Sequence, residues 1–187
     1  TPSWLEEMLM FAQRKDVGAV GAMLYYPDDT IQHAGVFLGI GGVAGHAHKY
    51  FPRGTFGYMS RGAIAQNYSA VTFACVMMAS SVFEEMHGID EKFQVAFNDV
   101  DFCLKIREKG YLVVYNPFVE FWHYESKSRG QEDSPEKIKR FQGEISTFER
   151  RWADFLEKGD PYYNLNLSLD TEVYHIKNIK VNESNID

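Results

Sequence analysis

The chain has 187 residues, 45% of them hydrophobic and 24% charged, which suits one globular domain with a sizeable core. A net charge of −7 at pH 7 argues against a nucleic-acid binder, which would carry a basic face. No apolar run is long enough to span a bilayer, no secretory leader is expected, and the isolated Cys75 and Cys103 suit buried free thiols in a reducing compartment, not a disulfide framework or metal knuckle.

Ser3 and Glu6 have the spacing of a capping box, and Trp4, Leu5, Met8, Leu9, Phe11 and Ala12 give a helical apolar face ending near Asp16. Val17 to Tyr26 reads as a strand, closed by the turn signal Pro27-Asp28-Asp29-Thr30. Ile31 to Val43 reads as a strand passing into a tight hairpin or bulge at Gly39, Gly41 and Gly42, glycines that form neither phosphate-binding signature. If extended, His46 and His48 face one side, but no neighbouring carboxylate or cysteine completes a metal set, so both read as surface or acceptor-side groups. Tyr50 to Gly62 reads as an ordered loop. The near-continuous apolar run Phe73 to Ala79 predicts a central strand covered on both faces. Ser81 to Met86 is a short helical turn, capped by Ser80 or Ser81 and ended by His87-Gly88.

The chemistry-bearing stretch runs from Phe97 to Arg107. Asn98 reads as an N-cap with Asp101 reaching back as its capping-box partner; Val100, Cys103, Leu104 and Ile106 form an apolar side, and Gly110 suits a left-handed C-cap. The first helical turn therefore carries two carboxylates, where the helix dipole favours the ionised form. Capping alone would account for such residues; an ionised, placed Asp is also what removes a proton from an attacking hydroxyl. A strand from Leu112 to Tyr115 should stop at Asn116-Pro117, followed by an extended piece, Val119 to Trp122, that leads into His123. Ser134-Pro135-Glu136 starts a long amphipathic helix through Ile138, Phe141, Ile145, Phe148, Trp152 and Phe155, which Gly159 ends. Its 135–158 face packs on the domain or serves an oligomer contact. Residues 170–187 read as a polar tail or linker.

In combination, Gly88-Ile89-Asp90-Glu91-Lys92-Phe93, Asn98 to Lys105, Arg107 to Tyr111 and His123 to Gly130 resemble the second half of the catalytic domain of family 2 glycosyltransferases, which have the GT-A fold. Many members carry Glu where this chain has Asn98. The resemblance extends from about Trp4 to about Leu169 and implies residues 1–169 as the C-terminal part of such a domain. It implies an α/β fold with a GT-A-like mixed sheet flanked by helices and without the N-terminal nucleotide-binding βαβ half, whose closing acidic motif Asp28-Asp29 does not replace. The implied reaction is inverting transfer of a sugar from a nucleotide-sugar donor to a hydroxyl on a glycan or lipid-linked acceptor, in bacterial surface polysaccharide synthesis. The site it implies has Asp99 as base and Asp101 as alternative base or holder of the helix start. His123 would be a ligand of a divalent metal, Mn²⁺ or Mg²⁺, Lys127 and Arg129 contacts to the donor diphosphate, and Asn67, Tyr68 and Thr72 acceptor contacts. The implied location is cytoplasmic, including the inner membrane face. By itself the piece is expected to be inactive. The rival classes are a non-catalytic carbohydrate-binding or scaffolding module derived from the same fold, and a metal-dependent hydrolase, for which the needed ligands are missing.

Overall fold

A computed structural model describes residues 1–124 and 134–177. The elements run α1 (Trp4–Ala12), β1 (Val17–Tyr25), β2 (Ile31–His33), β3 (Val36–Leu38), β4 (Ala44–His46), β5 (Gln66–Asn67), β6 (Val76–Met77), α2 (Ser80–Glu85), α3 (Asn98–Glu108), β7 (Leu112–Trp122), α4 (Pro135–Arg151) and α5 (Ala153–Lys158). The fold is mixed α/β. One sheet has the order β2-β1-β7-β5, and β3-β4 form a separate hairpin. β1 and β7 run parallel; β2 and β6 pair antiparallel with β1, and β5 with β7.

β1 is buried along its whole length, and its side chains alternate between two cores. Val20, Ala22 and Leu24 meet Met8 and Ala12 of α1, while Ala19, Met23 and Tyr25 join the larger core with Phe102, Leu104 and Ile106 of α3. Helices thus lie on both faces of the sheet. Gly18 lets α3 approach: a Cβ there would collide with the Ile106 side chain.

Several local expectations change. The Ser3 side chain makes no cap bond, so the Ser3–Glu6 box does not form. Asn98 is not the N-cap of α3; that position is Phe97, in the left-handed region at φ 63°, and Asp101 makes no capping box. Neither Ser80 nor Ser81 caps α2, which starts from Ala79. The run 73–79 is no central strand: only Val76–Met77 pairs, on the same edge of β1 as β2, and these residues are half-buried. β7 does not stop at Asn116-Pro117. Asn116 faces Ala22 and Glu120 faces Met23, so residues 117–119 form a bulge, and Asn116 ties it to α1 through a bond to the Glu7 carbonyl. The long helix breaks at Trp152, whose indole turns inward to bond Asp101. Beyond residue 170, Tyr174 is 8% exposed and stacks on Tyr58 at 4.9 Å.

Other signals hold. Ser134 caps α4, its hydroxyl accepting from the Lys137 N–H at 3.3 Å, with Pro135 at the first position. Gly110, at φ 88°, closes α3 with the Gly110 N–H on the Arg107 carbonyl and the Tyr111 N–H on that of Ile106, a Schellman pattern. The hairpin at Gly39, Gly41 and Gly42 forms, all three with positive φ. Cys75 and Cys103 are free thiols. Among the described residues no helix is long and apolar enough to cross a membrane.

Candidate functional site

Asp99 sits in the first turn of α3, where the chain leaves the left-handed Phe97. Its Oδ1 accepts the Val100 N–H at 2.8 Å, and its Oδ2 accepts the Phe73 N–H at 3.3 Å. The nearby Thr72 hydroxyl also favours the ionised form of this carboxylate. Burial nevertheless outweighs these bonds and raises the Asp99 pKa above the ordinary carboxylate value. Such a carboxylate takes up a proton more readily than a solvated one.

Thr72 is held in turn by β2. Its backbone N–H points at Nε2 of His33, 3.4 Å away. An accepting Nε2 makes Nδ1 the protonated nitrogen of His33, and that nitrogen lies 2.9 Å from Nδ1 of His46, which accepts. Burial keeps both imidazoles neutral: it pushes His33 well below its ordinary value, helped by His46, and His46 down to about 4, helped by the Lys49 charge.

The residue before His33 reaches the other end of the site. Gln32 accepts from Nδ1 of His123 through Oε1 at 2.8 Å and donates to the His123 carbonyl at 3.4 Å. The His123 N–H bonds the Tyr25 carbonyl at 2.9 Å, which fixes His123 just past the C-terminal ends of the parallel strands β1 and β7. With Nδ1 protonated, Nε2 carries the lone pair and has no partner among the described residues. Consecutive residues of β2 therefore touch His123 and, by way of Thr72, the environment of Asp99. Beside His123 stands an aromatic and charged cluster. Arg53 pairs with Glu120 at 2.6 Å and lies over the Trp122 ring at 4.7 Å, and the Trp122 indole, 41% exposed, bonds Asp29.

The other sequence-derived residues are spread out. Of the three acceptor candidates, Thr72 lies at Asp99. Tyr68 is a core residue, 0% exposed, packed edge-on against Tyr115 at 5.7 Å, and offers no surface to a substrate. Asn67 pairs with Val114 in β5, near the N-terminal ends of β1 and β7 and so at the opposite end of the sheet from His123. Asp101 is 0% exposed and engaged: Oδ1 accepts from Arg151 at 2.8 Å and from the Trp152 indole at 2.9 Å, and Oδ2 pairs with Lys105 at 3.2 Å. It joins α3 to the α4–α5 corner and has no access to a substrate. His48 is not a surface group: it is 0% exposed, its Nε2 accepting the Tyr58 N–H at 3.0 Å, whereas His46 is half-buried at the end of β4. Lys127 and Arg129 lie outside the described residues.

Among the described residues no three His, Cys, Asp or Glu side chains gather to hold a metal ion. His123 fits as a single ligand. Sequence reasoning missed Gln32 and His33. The available signal was a polar pair inside the otherwise apolar run Ile31 to Leu38, which a buried strand tolerates only when both side chains are bonded.

No family model matches the chain, and no solved structure matches it. It is similar to the uncharacterized protein y4gI of Sinorhizobium fredii, with 51% identity over 172 residues that make up 90% of this chain and 19% of that protein. It is also similar to the O-antigen biosynthesis protein RfbC of Myxococcus xanthus, with 40% identity over 172 residues, 90% of this chain and 13% of that protein. The chain thus spans less than a fifth of the length of these two curated relatives, corresponding to one segment of much longer proteins.

Proposed function

We propose that this chain is the acceptor-side part of the catalytic domain of an inverting family 2 glycosyltransferase with the GT-A fold, acting in surface polysaccharide synthesis. The observation that carries the reading is the Asp99 carboxylate, desolvated, raised in pKa and fixed by two backbone N–H groups in the first turn of α3. A mixed sheet with helices on both faces is compatible with that fold, and the name of RfbC supports a polysaccharide product.

In this reading the acceptor hydroxyl oxygen bonds to the anomeric carbon of the donor sugar. The bond from that carbon to the diphosphate oxygen breaks with its electron pair, the nucleoside diphosphate leaves, and the hydroxyl proton passes to Asp99. Attack from the face opposite the leaving group inverts the anomeric configuration. Thr72 favours the ionised carboxylate that would take the proton, and the exposed part of Trp122, with Arg53 over its ring and Asp29 on its indole N–H, offers an apolar surface with polar neighbours to a sugar ring. A divalent metal, Mn²⁺ or Mg²⁺, would be held in part by His123 and would neutralise charge on the diphosphate. Lys127 and Arg129 are assigned to the same charge. The remaining donor contacts belong, in this reading, to a nucleotide-binding half elsewhere in the longer protein, and the reaction belongs to the cytoplasm or inner membrane face.

The test is release of nucleoside diphosphate by the complete gene product, screened against a panel of nucleotide sugars with Mn²⁺ and a lipid-linked or oligosaccharide acceptor. Acceptor-dependent release supports the reading. Glycan binding without release from any donor supports the non-catalytic binding module instead.

A further inference from the structure

We propose that Glu144 of α4 is a positioning residue for Asp99, an inference that rests on the assignment of Asp99 as the base. Glu144 is 3% exposed, although it lies on a helix that is largely polar outward. Its carboxylate accepts three successive backbone N–H groups: Gln94 at 2.8 Å and Val95 at 3.1 Å on Oε1, and Ala96 at 3.0 Å on Oε2. Successive amides converging on one point make an anion-binding concavity, and here the protein fills it with its own side chain. Among the described residues Arg140, one turn earlier, pairs with it at 4.0 Å.

The next residue is Phe97, held left-handed at φ 63°, a conformation that a bulky side chain adopts only under constraint. The Phe97 ring stacks on Phe141 at 5.8 Å and leans on Phe148 at 5.3 Å, both on the same side of α4 as Glu144. α3 starts at the following residue, and Asp99 is its second. Arg151, further along α4, pairs with Asp90 at 2.6 Å and with Asp101 at 2.8 Å, on either side of the same segment. α4 therefore clamps residues 90–101 at both ends and in the middle. None of the bonds made by Glu144 reaches Asp99; its action passes through the backbone of residues 94–98. Without the three carboxylate bonds, Phe97 loses part of what holds it left-handed, the first turn of α3 is free to shift, and Asp99 turns away from the Phe73 N–H.

The experiment compares Glu144→Gln and Glu144→Asp with the wild type by two routes. In this chain, NMR follows exchange of amides 94–96 and titration of the Asp99 carboxyl. In the complete gene product, kcat and KM for the donor are measured. The expected result for Glu144→Gln is exchange about tenfold faster at 94–96, an Asp99 midpoint moved toward the ordinary carboxylate value, and kcat lowered about a hundredfold with donor KM unchanged. Glu144→Asp should fall between, because the carboxylate remains but is one methylene short; it decides the matter if Glu144→Gln does not fold. A folded variant with an unmoved Asp99 midpoint and unchanged kcat overturns the positioning role and leaves the transferase reading intact. A moved midpoint in a protein that transfers no sugar retains the positioning role and removes the transferase reading.

Discussion

Trp152 donates its indole N–H to Oδ1 of Asp101 across 2.9 Å, the same oxygen that Arg151 reaches at 2.8 Å. A fully buried carboxylate that accepts two side-chain donors and pairs with Lys105 is a structural joint between α3 and the end of α4. Removing one partner of such a group leaves the others desolvated and unpaired. Asp101→Ala should therefore destabilise the fold by about 3 kcal/mol, the low end of that effect, because Arg151 keeps Asp90 and some solvent. Trp152→Phe, which loses one bond to a charged acceptor and keeps the ring, should lose about 1.5 kcal/mol. Urea unfolding of both variants checks this. A loss from Asp101→Ala smaller than that from Trp152→Phe contradicts it.

Asp99 should show the opposite pattern. Its pKa is raised in the folded state, so the stability linked to its protonated form is complete below the unfolded value of 3.8 and is lost as pH rises through the folded value. At neutral pH the ionised carboxylate thus weighs against the fold. Asp99→Asn removes that charge but turns an amide toward one of the two backbone donors. The two effects oppose, and the variant should lie within about 1 kcal/mol of wild type at pH 7. The wild type should gain on it as the pH falls toward 4. A stability difference flat in pH would mean that Asp99 is not held at a raised pKa.

Three desolvated histidines set a separate pH dependence. His33, His46 and His48 are all lowered, chiefly by burial, the latter two to about 4 from an unfolded value of 6.5. A lowered base is neutral when folded, so its contribution is complete above 6.5 and falls away as the unfolded chain takes up protons down toward 4. Each contributes a slope of about 1.4 kcal/mol per pH unit inside that window. Melting curves between pH 7 and pH 4 should show a steep loss, reduced in His48→Gln. An unfolding midpoint constant across that range contradicts the neutral, buried assignment.

Thr72→Val keeps the shape and removes the hydroxyl that favours the ionised form of Asp99. Without that hydroxyl, the carboxyl should rise further, and the acid limb of the pH–rate profile of the complete gene product should move up by roughly half to one pH unit. An unmoved limb with Thr72 removed would detach Thr72 from the base.

Much of the fold was legible in the sequence because its signals are local. The apolar run 17–25, the Ser134-Pro135 start and the Gly110 stop each depend on a few neighbouring residues, and each forms. The failures share another cause. Asn98 and Asp101 have capping-box spacing, but the Asp101 side chain is taken by Arg151 and Trp152, about fifty residues away in sequence, and the backbone turns at Phe97 instead. The resemblance implies Tyr68 as an acceptor contact, yet its ring is drawn into the aromatic core with Tyr115 and Phe37. Residues 73–79 are apolar enough for a central strand, but the Phe73 N–H is claimed by Asp99 and β1 already has β7 on its other edge. In the candidate site, Asp99, Thr72 and His123 were accessible as residue types at motif positions. Gln32 and His33 show in the sequence only as a polar pair within an apolar run, and Glu144 not at all, because each acquires its role from a partner distant in sequence.

The central claim is that Asp99 and not Asp101 accepts the proton in sugar transfer. The most direct measurement is the rate of acceptor-dependent nucleoside diphosphate release by the complete gene product carrying Asp99→Asn or Asp101→Asn, each checked for folding by its melting curve. Asp99→Asn should melt close to wild type and lose about 10²- to 10⁴-fold in rate, the range for removing a general base, whereas the folded fraction of Asp101→Asn should keep most of its rate with a lowered melting temperature. Wild-type turnover by a folded Asp99→Asn enzyme would contradict the account.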